Sequence, residues 1–282
     1  MIDAHIHVAP PQLPGVGYLN PVLELAAEPL AAVLRREMQA ADVNAALAVG
    51  SWQSNHTAPP DDALGIAATL NVAQYVPGLH AIGVADPTRT EPEYLQAVDA
   101  VLATGRVRAL KAYLGYLHYA PDHAGYRPYY ELAERYRLPF IFHTGDTYSP
   151  LAKLRFAHPL LVDEVAVDHP RVKFVLAHLG NPWMTEAAEV IYKNINVWAD
   201  LSGLVVGGVD SFAAPERQEM LQETAANVRR AFRYAERPNR FLYGSDWPLA
   251  PMASYHKFVA AAVPEIYHPQ VFEENARTLF QI

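Results

Sequence analysis

The chain begins Met1-Ile2-Asp3-Ala4-His5-Ile6-His7-Val8-Ala9-Pro10-Pro11, and residues 2–8 decide how the rest is read. The run is rich in β-branched residues, lacks a clean polar alternation and stops at two prolines. Those properties suit a parallel strand covered on both faces. His5 and His7 stand at i and i+2, which on a strand directs both side chains to the same face. Paired imidazoles on one face can hold a divalent metal, because each supplies a borderline-soft nitrogen. The same pair can also be two polar residues at the solvent-facing end of a strand, so the remaining strands have to decide.

Seven further runs of this kind follow, at 45–49, 79–85, 107–113, 140–143, 173–178, 197–201 and 240–245. Between them lie segments with apolar residues at i, i+3 and i+4. These predict helices over 29–41, 61–75, 94–102, 127–136, 160–167, 186–192, 215–234 and 253–262, with a last one over 269–279. Strand and helix alternate eight times at about 35 residues per unit, the length a strand–helix–strand crossover needs. Eight such units predict an α/β fold of the (β/α)8 TIM-barrel type, a single domain over 1–282. A doubly wound sheet would show a Gly-rich phosphate turn after its first strand, and His7-Val8-Ala9-Pro10-Pro11 is not one. The longest irregular stretches, 9–28, 50–60 and 114–125, each follow a strand, so a barrel places them at its active-site face.

Three other strands end as the first does. Phe140-Ile141-Phe142-His143-Thr144-Gly145-Asp146, Val175-Leu176-Ala177-His178-Leu179-Gly180-Asn181 and Phe241-Leu242-Tyr243-Gly244-Ser245-Asp246-Trp247-Pro248 each deliver a His or Asp just before a turn. A buried polar side chain at a strand end needs a partner. In a closed barrel these residues project toward one mouth and become one another's partners. Lys111 lies inside the fourth run among apolar neighbours. It is either an ammonium paired with Asp200 or Asp246, or a carbamylated lysine bridging two metals.

Taken together, His5-x-His7, Lys111, His143, His178 and Asp246 resemble the ligand order of the amidohydrolase superfamily. The phrases His143-Thr-Gly-Asp146, Ala177-His-Leu-Gly-Asn181, Gly244-Ser-Asp-Trp-Pro248 and Glu274-Asn-Ala-Arg-Thr-Leu-Phe280 look like its amidohydrolase-related branch, which includes aminocarboxymuconate-semialdehyde decarboxylase-like enzymes. The resemblance runs from residue 3 to residue 280. It implies a metal-dependent hydrolase of a C–N or C–O bond in a small amide, lactone or ester. Its alternative is a non-oxidative decarboxylase of an aromatic or unsaturated acid. The implied cofactor is Zn²⁺, as one ion or two, with Mn²⁺ or another divalent ion as substitute. With one ion, the favoured arrangement, His5, His7, Asp246 and His143 are ligands, Asp246 is general base to a metal-activated water, and His178 polarises the substrate. With two, carbamylated Lys111 bridges, and His143 and His178 bind the second ion. Absence of His5, His7 or Asp246 would have indicated a non-catalytic barrel, and all three are present.

On the substrate side the loops offer Trp52, Tyr116, Arg155, Asn181 and Trp247, with Gln12, Tyr18, Asn55, His56, His118, Tyr119 and Trp183 nearby. Aromatic and amide groups on barrel loops suit a small planar, oxygenated molecule. Asp146 and Asp200 read as carboxylates that orient a ligand histidine.

Composition narrows the partners. The chain has 282 residues, 22 Lys plus Arg against 30 Asp plus Glu, a net charge of −8, twelve histidines and no cysteine. An acidic balance disfavours nucleic acid and anionic membranes. Without cysteine there is no thiolate metal site and no cysteine nucleophile. The start lacks a basic segment followed by a long apolar one, and no run approaches about 20 apolar residues, so the expected location is cytoplasmic. The resemblance is compatible with a homo-oligomer.

Overall fold

A computed structural model describes residues 1–17, 19–53 and 62–282. Its eight strands are β1 Ile2–His7, β2 Ala45–Val49, β3 Leu79–Val84, β4 Val107–Ala112, β5 Phe140–His143, β6 Phe174–Ala177, β7 Val197–Asp200 and β8 Phe241–Leu242. Each pairs in parallel with the next, in sequence order. The last strand returns to the first. Ala4 N donates to Tyr243 O at 2.9 Å, Asp246 N to His5 O at 2.9 Å and His7 N to Trp247 O at 2.7 Å. The eightfold spacing therefore folds as the TIM barrel it predicts.

Alternation along the strands builds two cores. Leu47, Val49, Ile82, Val84, Ala109, Ile141, Val175 and Leu242 pack with one another and fill the barrel. The intervening Ala46 and Ala48 face outward and meet Leu30, Leu34 and Met38 of helix α1, Ala27–Ala40. This is why the strands read as continuous apolar runs: both faces are covered. Helices α2 Ala67–Ala73, α3 Pro92–Ala103, α4 Arg127–Tyr136, α5 Leu161–Asp168 and α6 Met184–Lys193 complete the first six units. They are followed by α7 Val209–Ala213, α8 Pro215–Ala235, α9 Met252–Ala262 and α10 Asn275–Phe280. In α3, α4 and α8 a proline occupies the first turn, where its missing N–H costs nothing. Among the described residues no helix is long and apolar enough to cross a membrane.

The departures from the expected elements are local. The helix expected over 61–75 is confined to α2, with residue 61 outside the described part. The closing helix over 269–279 divides into a π-helical turn, Gln270–Glu274, and α10. There Asn275 Nδ2 donates to Phe241 O at 2.8 Å and to Pro238 O at 2.9 Å, tying the end of the chain to β8. The short helix α7 has no counterpart among the predicted elements. β8 is two residues rather than six, because the chain turns out of the ladder early: Tyr243 N bonds Val271 O at 2.9 Å and Ser245 N bonds Asp3 Oδ1 at 3.0 Å. His178 likewise lies just past β6. His178 and Asp246 both have left-handed backbone, at φ 62 and 59, so each begins a tight turn. A left-handed non-glycine residue costs about 1–3 kcal/mol, and such strain concentrates at functional sites.

Candidate active site and metal centre

Asp246 stands between the two histidines of β1. Its Oδ1 lies 3.3 Å from His7 Nε2 and 3.6 Å from His5 Nε2. Asp246 is 4% exposed, and this oxygen has no hydrogen-bond partner. Burial pulls the carboxyl pKa up, but His7, His5 and His178 outweigh it and hold the group well below the usual carboxylate range. It is an ionised, buried carboxylate oxygen lacking the hydrogen bond such an atom needs. Metal–ligand distances of about 2.0–2.2 Å put the donor atoms of a tetrahedral site about 3.3–3.6 Å apart. The Asp246 separations fall in that range, so these three residues fit a divalent ion.

A second group within metal-ligand reach, His5, His178 and Asp200, has a different chemistry. Asp200 Oδ2 faces His5 Nδ1 at 3.0 Å. Asp200 Oδ1 accepts from Ser202 N at 3.0 Å, His178 N at 3.1 Å and Ser202 Oγ at 2.5 Å. Burial again raises the carboxyl, and His5, His178 and Lys111 together outweigh it, leaving Asp200 ionised. Its oxygens are already satisfied, so it acts as a hub and needs no ion. Because ionised Asp200 only accepts, His5 Nδ1 carries the proton and Nε2 is the bare nitrogen, which accepts from Lys111 Nζ at 2.9 Å and lies 3.6 Å from Asp246 Oδ1. A carboxylate–histidine pair of this kind fixes the tautomer of a metal ligand, as expected for Asp200.

His178 Nδ1 lies 3.1 Å from Ser202 O, which can only accept, so that nitrogen is protonated and Nε2 is free. His143 Nε2 bonds Asp146 O at 2.8 Å, which leaves Nδ1 free. The ring centroids of His143 and His178 are 4.9 Å apart. Burial first, then neighbouring cationic groups, lowers the pKa of His178 and drives that of His143 well below its ordinary value. His5 is lowered too, by burial and Lys111. Asp146 reaches His143 through its main-chain carbonyl rather than through the carboxylate expected from the sequence. Burial raises the Asp146 carboxyl pKa.

Lys111 also has a different partner from the one expected. Its Nζ lies 2.9 Å from His5 Nε2, and Asp200 and Asp246 act on it only from farther away. Burial lowers its pKa to about 8. An ion bound by His5 Nε2 would displace this hydrogen bond.

These groups line one cavity at the mouth of the barrel. Its wall includes His7, Lys111, Tyr113, Tyr116, His143, Asp146, Tyr148, His178, Gly203 and Asp246, with Leu13, Val16, Leu19 and Leu249 on the apolar side. Of the loop residues expected at a substrate, Tyr116 is here, its ring 4.8 Å from that of His143. The other four are not in this wall. Trp52 donates Nε1 to Asp86 Oδ2 at 2.8 Å in a neighbouring depression. Arg155 is exposed and stacks over Phe156 at 4.5 Å. Asn181 contributes backbone, its O accepting from Asp146 N at 2.8 Å. Trp247 is 3% exposed, packs with Ile6, Val8 and Leu30 on the outer side of β1, and lines a second groove that adjoins this cavity. Tyr18, Asn55 and His56 lie outside the described residues.

The sequence reading missed Tyr113, Tyr148 and Ser202. Ser202 had a signal: Asp200-x-Ser202 repeats at β7 the i, i+2 spacing of His5-x-His7, and its Oγ reaches His5 Nδ1 at 3.0 Å and His178 Nδ1 at 2.9 Å. The backbone of Gly203 packs against two of these side chains. A Cβ there would sit 2.7 Å from His178 Nδ1 and 2.8 Å from Asp246 Oδ2, at a φ of +64. Gly203→Ala should lower kcat by about 100-fold, the cost of displacing a catalytic group by roughly 1 Å. Unchanged kcat would mean that these two side chains can move freely.

The three depressed imidazoles set an acid limit. His5, His143 and His178 stay neutral in the fold but take up protons near pH 6.5 in the unfolded chain, so acidification favours unfolding. Asp3 opposes this, because burial raises its pKa to about 7 and its penalty grows as pH rises from 3.8. Asp146, also raised, acts with Asp3, while burial lowers His80 and His256 too; five lowered imidazoles outweigh two raised carboxyls, so the Tm of metal-free protein should fall between pH 7 and pH 5. A flat Tm across that window would contradict the neutral-imidazole arrangement.

The geometry can be compared with known proteins. A family model described as Amidohydrolase matches residues 2–282. The chain belongs to the amidohydrolase family. Curated proteins give no match to this amidohydrolase. Among solved structures, it resembles an uncharacterized TIM-barrel protein of Bordetella bronchiseptica, with 20% identity, TM-score 0.69 and 99% and 98% of the two chains covered. A probable 2-pyrone-4,6-dicarboxylic acid hydrolase of Acinetobacter baumannii, with citric acid bound, has 15% identity, TM-score 0.68 and coverage of 100% and 99%. A 5-carboxyvanillate decarboxylase of Novosphingobium aromaticivorans, with manganese bound, has 12% identity, TM-score 0.65 and coverage of 100% and 97%. At these identities the likenesses establish the barrel fold that this amidohydrolase shares with them.

Proposed function

We propose that this amidohydrolase hydrolyses an amide, ester or lactone bond of a small neutral substrate with one divalent ion held by His5, His7 and Asp246. The observation that carries the reading is the buried, ionised Asp246 Oδ1, without a hydrogen bond, between two imidazole nitrogens at 3.3 and 3.6 Å. Bound there, Zn²⁺, Mn²⁺ or a similar ion would polarise the substrate and lower the pKa of water. Asp246, acidic enough to stay ionised, takes the proton of the attacking water. His178, which donates Nδ1–H to Ser202 O, presents Nε2 as a lone pair and so accepts a proton or binds the ion rather than donating to the substrate oxygen. His143 supplies its free Nδ1 as a further ligand or substrate contact.

A neutral substrate is favoured by charge. Among the described lining residues Lys111 is the only Lys or Arg, and it is turned to His5, while the two carboxyl groups of Asp146 and Asp246 would be offset by the ion's two positive charges, leaving the wall near neutral. The second reading, decarboxylation of an aromatic acid, has the phenol rings of Tyr113, Tyr116 and Tyr148 in its favour. Solvent ¹⁸O appearing in the product supports hydrolysis. Release of CO₂ without ¹⁸O incorporation supports the second reading and overturns the first. Lys111→Ala tests the metal count: metal per chain should be unchanged, whereas loss of one ion from a pair would establish a lysine bridge.

A further inference from the structure

The cavity holding the reactive groups encloses about 50 Å³. That is room for a few waters or one small functional group, well below the roughly 300–1,000 Å³ of a site that engulfs a whole ligand. Beside it lies a groove of about 590 Å³, within that range. The two adjoin at Leu19, Tyr148 and Leu249, which line both. Its far side is Val22 and Val33 from the α1 side and Val206-Gly207-Gly208 after β7. Among the described lining residues the only charged one is Glu37, and it is engaged, Oε2 accepting from Met252 N at 3.1 Å. Asn20 is engaged as well, accepting from Val22 N at 3.1 Å and donating to Pro248 O at 3.0 Å.

We infer that this groove is the binding site for the non-reacting part of the substrate, an uncharged aliphatic tail reaching past Tyr148 and Leu249. The carbonyl group beside the C–N or C–O bond to be cleaved occupies the inner cavity, and the tail sets specificity. The inference rests on the hydrolase reading only for the identity of the reacting group. An anionic tail would meet Glu37 with no Lys or Arg among the described groove residues. A strongly polar tail would find both amide atoms of Asn20 already bonded and, in Glu37, a carboxylate that offers acceptors only.

Gly208 offers a clean way to fill the groove. A Cβ there meets nothing within 4 Å, and its φ of −72 is open to any residue, so Gly208→Trp adds bulk without backbone strain. Val33→Trp fills it from the opposite wall. Binding of 2-alkanones from 2-butanone to 2-decanone to the metal-loaded protein, measured by calorimetry, is the direct test. These are neutral carbonyl heads with tails of increasing length, and they cannot be hydrolysed. Kd should fall about fourfold per added methylene. Both variants should flatten this to less than twofold while leaving 2-butanone binding in place, with Tm confirming that they fold. No dependence on chain length in the parent, or an unaltered slope in both variants, overturns the inference. A steep, variant-sensitive ketone series without turnover of esters, amides or lactones keeps the groove and rejects the hydrolase reading. Turnover of esters with no preference for tail length does the reverse.

Discussion

Asp246→Asn is expected to lower kcat by at least about 10³-fold while the protein stays folded. The substitution keeps the side chain's size but removes the negative charge that sits 3.3 Å from His7 and 3.6 Å from His5. An amide cannot accept the proton of water, and its carbonyl oxygen is a weaker ligand than a carboxylate. General-base loss alone costs about 10²–10⁴ in rate, and a weakened metal site adds to it. Steady-state kinetics on a substrate found by screening lactones, esters and amides reads the effect directly. A variant within tenfold of the parent would mean that Asp246 is not the base.

Asp200→Ala should be the most destabilising single change at the site. It strips the acceptor from His5 Nδ1, Ser202 N, Ser202 Oγ and His178 N at once. Removing one partner of a buried charged network costs about 3–5 kcal/mol, because the groups left behind are desolvated and unpaired. In a chain of this size that is a fall in Tm of roughly 10 °C. Asp200→Asn keeps one acceptor oxygen and should lie between the parent and alanine variants. Activity should fall in both, since His5 loses the group that fixes its proton on Nδ1. An alanine variant melting within about 2 °C of the parent would show that the hub is not what holds β1, β6 and β7 in register at the mouth.

The barrel was legible because its strands are covered on both faces, which leaves short apolar runs at regular spacing. His5, His7, His143, His178 and Asp246 were legible because each ends such a run, and barrel topology brings strand ends together. What the sequence hid depends on direction rather than position. Lys111 reads as a partner for a carboxylate, yet its Nζ meets His5 Nε2, a choice made by side-chain orientation within the barrel. Trp247 directly follows Asp246, but the left-handed turn at Asp246 sends the indole to the outer face of β1, where it lines the adjoining groove instead of the inner cavity. Arg155 and Trp52 are on loops at the right end of the barrel, and loop residues carry no periodicity to say which way they face. Tyr148 lies five residues beyond His143 and reaches the cavity because its N–H is held by Tyr116 Oη at 2.9 Å, a contact between separate loops.

We propose that His5, His7 and Asp246 hold a single divalent ion. Titration of metal-free protein with Zn²⁺ and with Mn²⁺, followed by metal analysis per chain, tests it most directly. The parent should retain one equivalent, and His7→Ala, which removes a ligand on the rim without disturbing the Asp200 hub, should lose it. Two equivalents in the parent, or one equivalent retained unchanged in His7→Ala, would mean that these three residues do not hold a single ion.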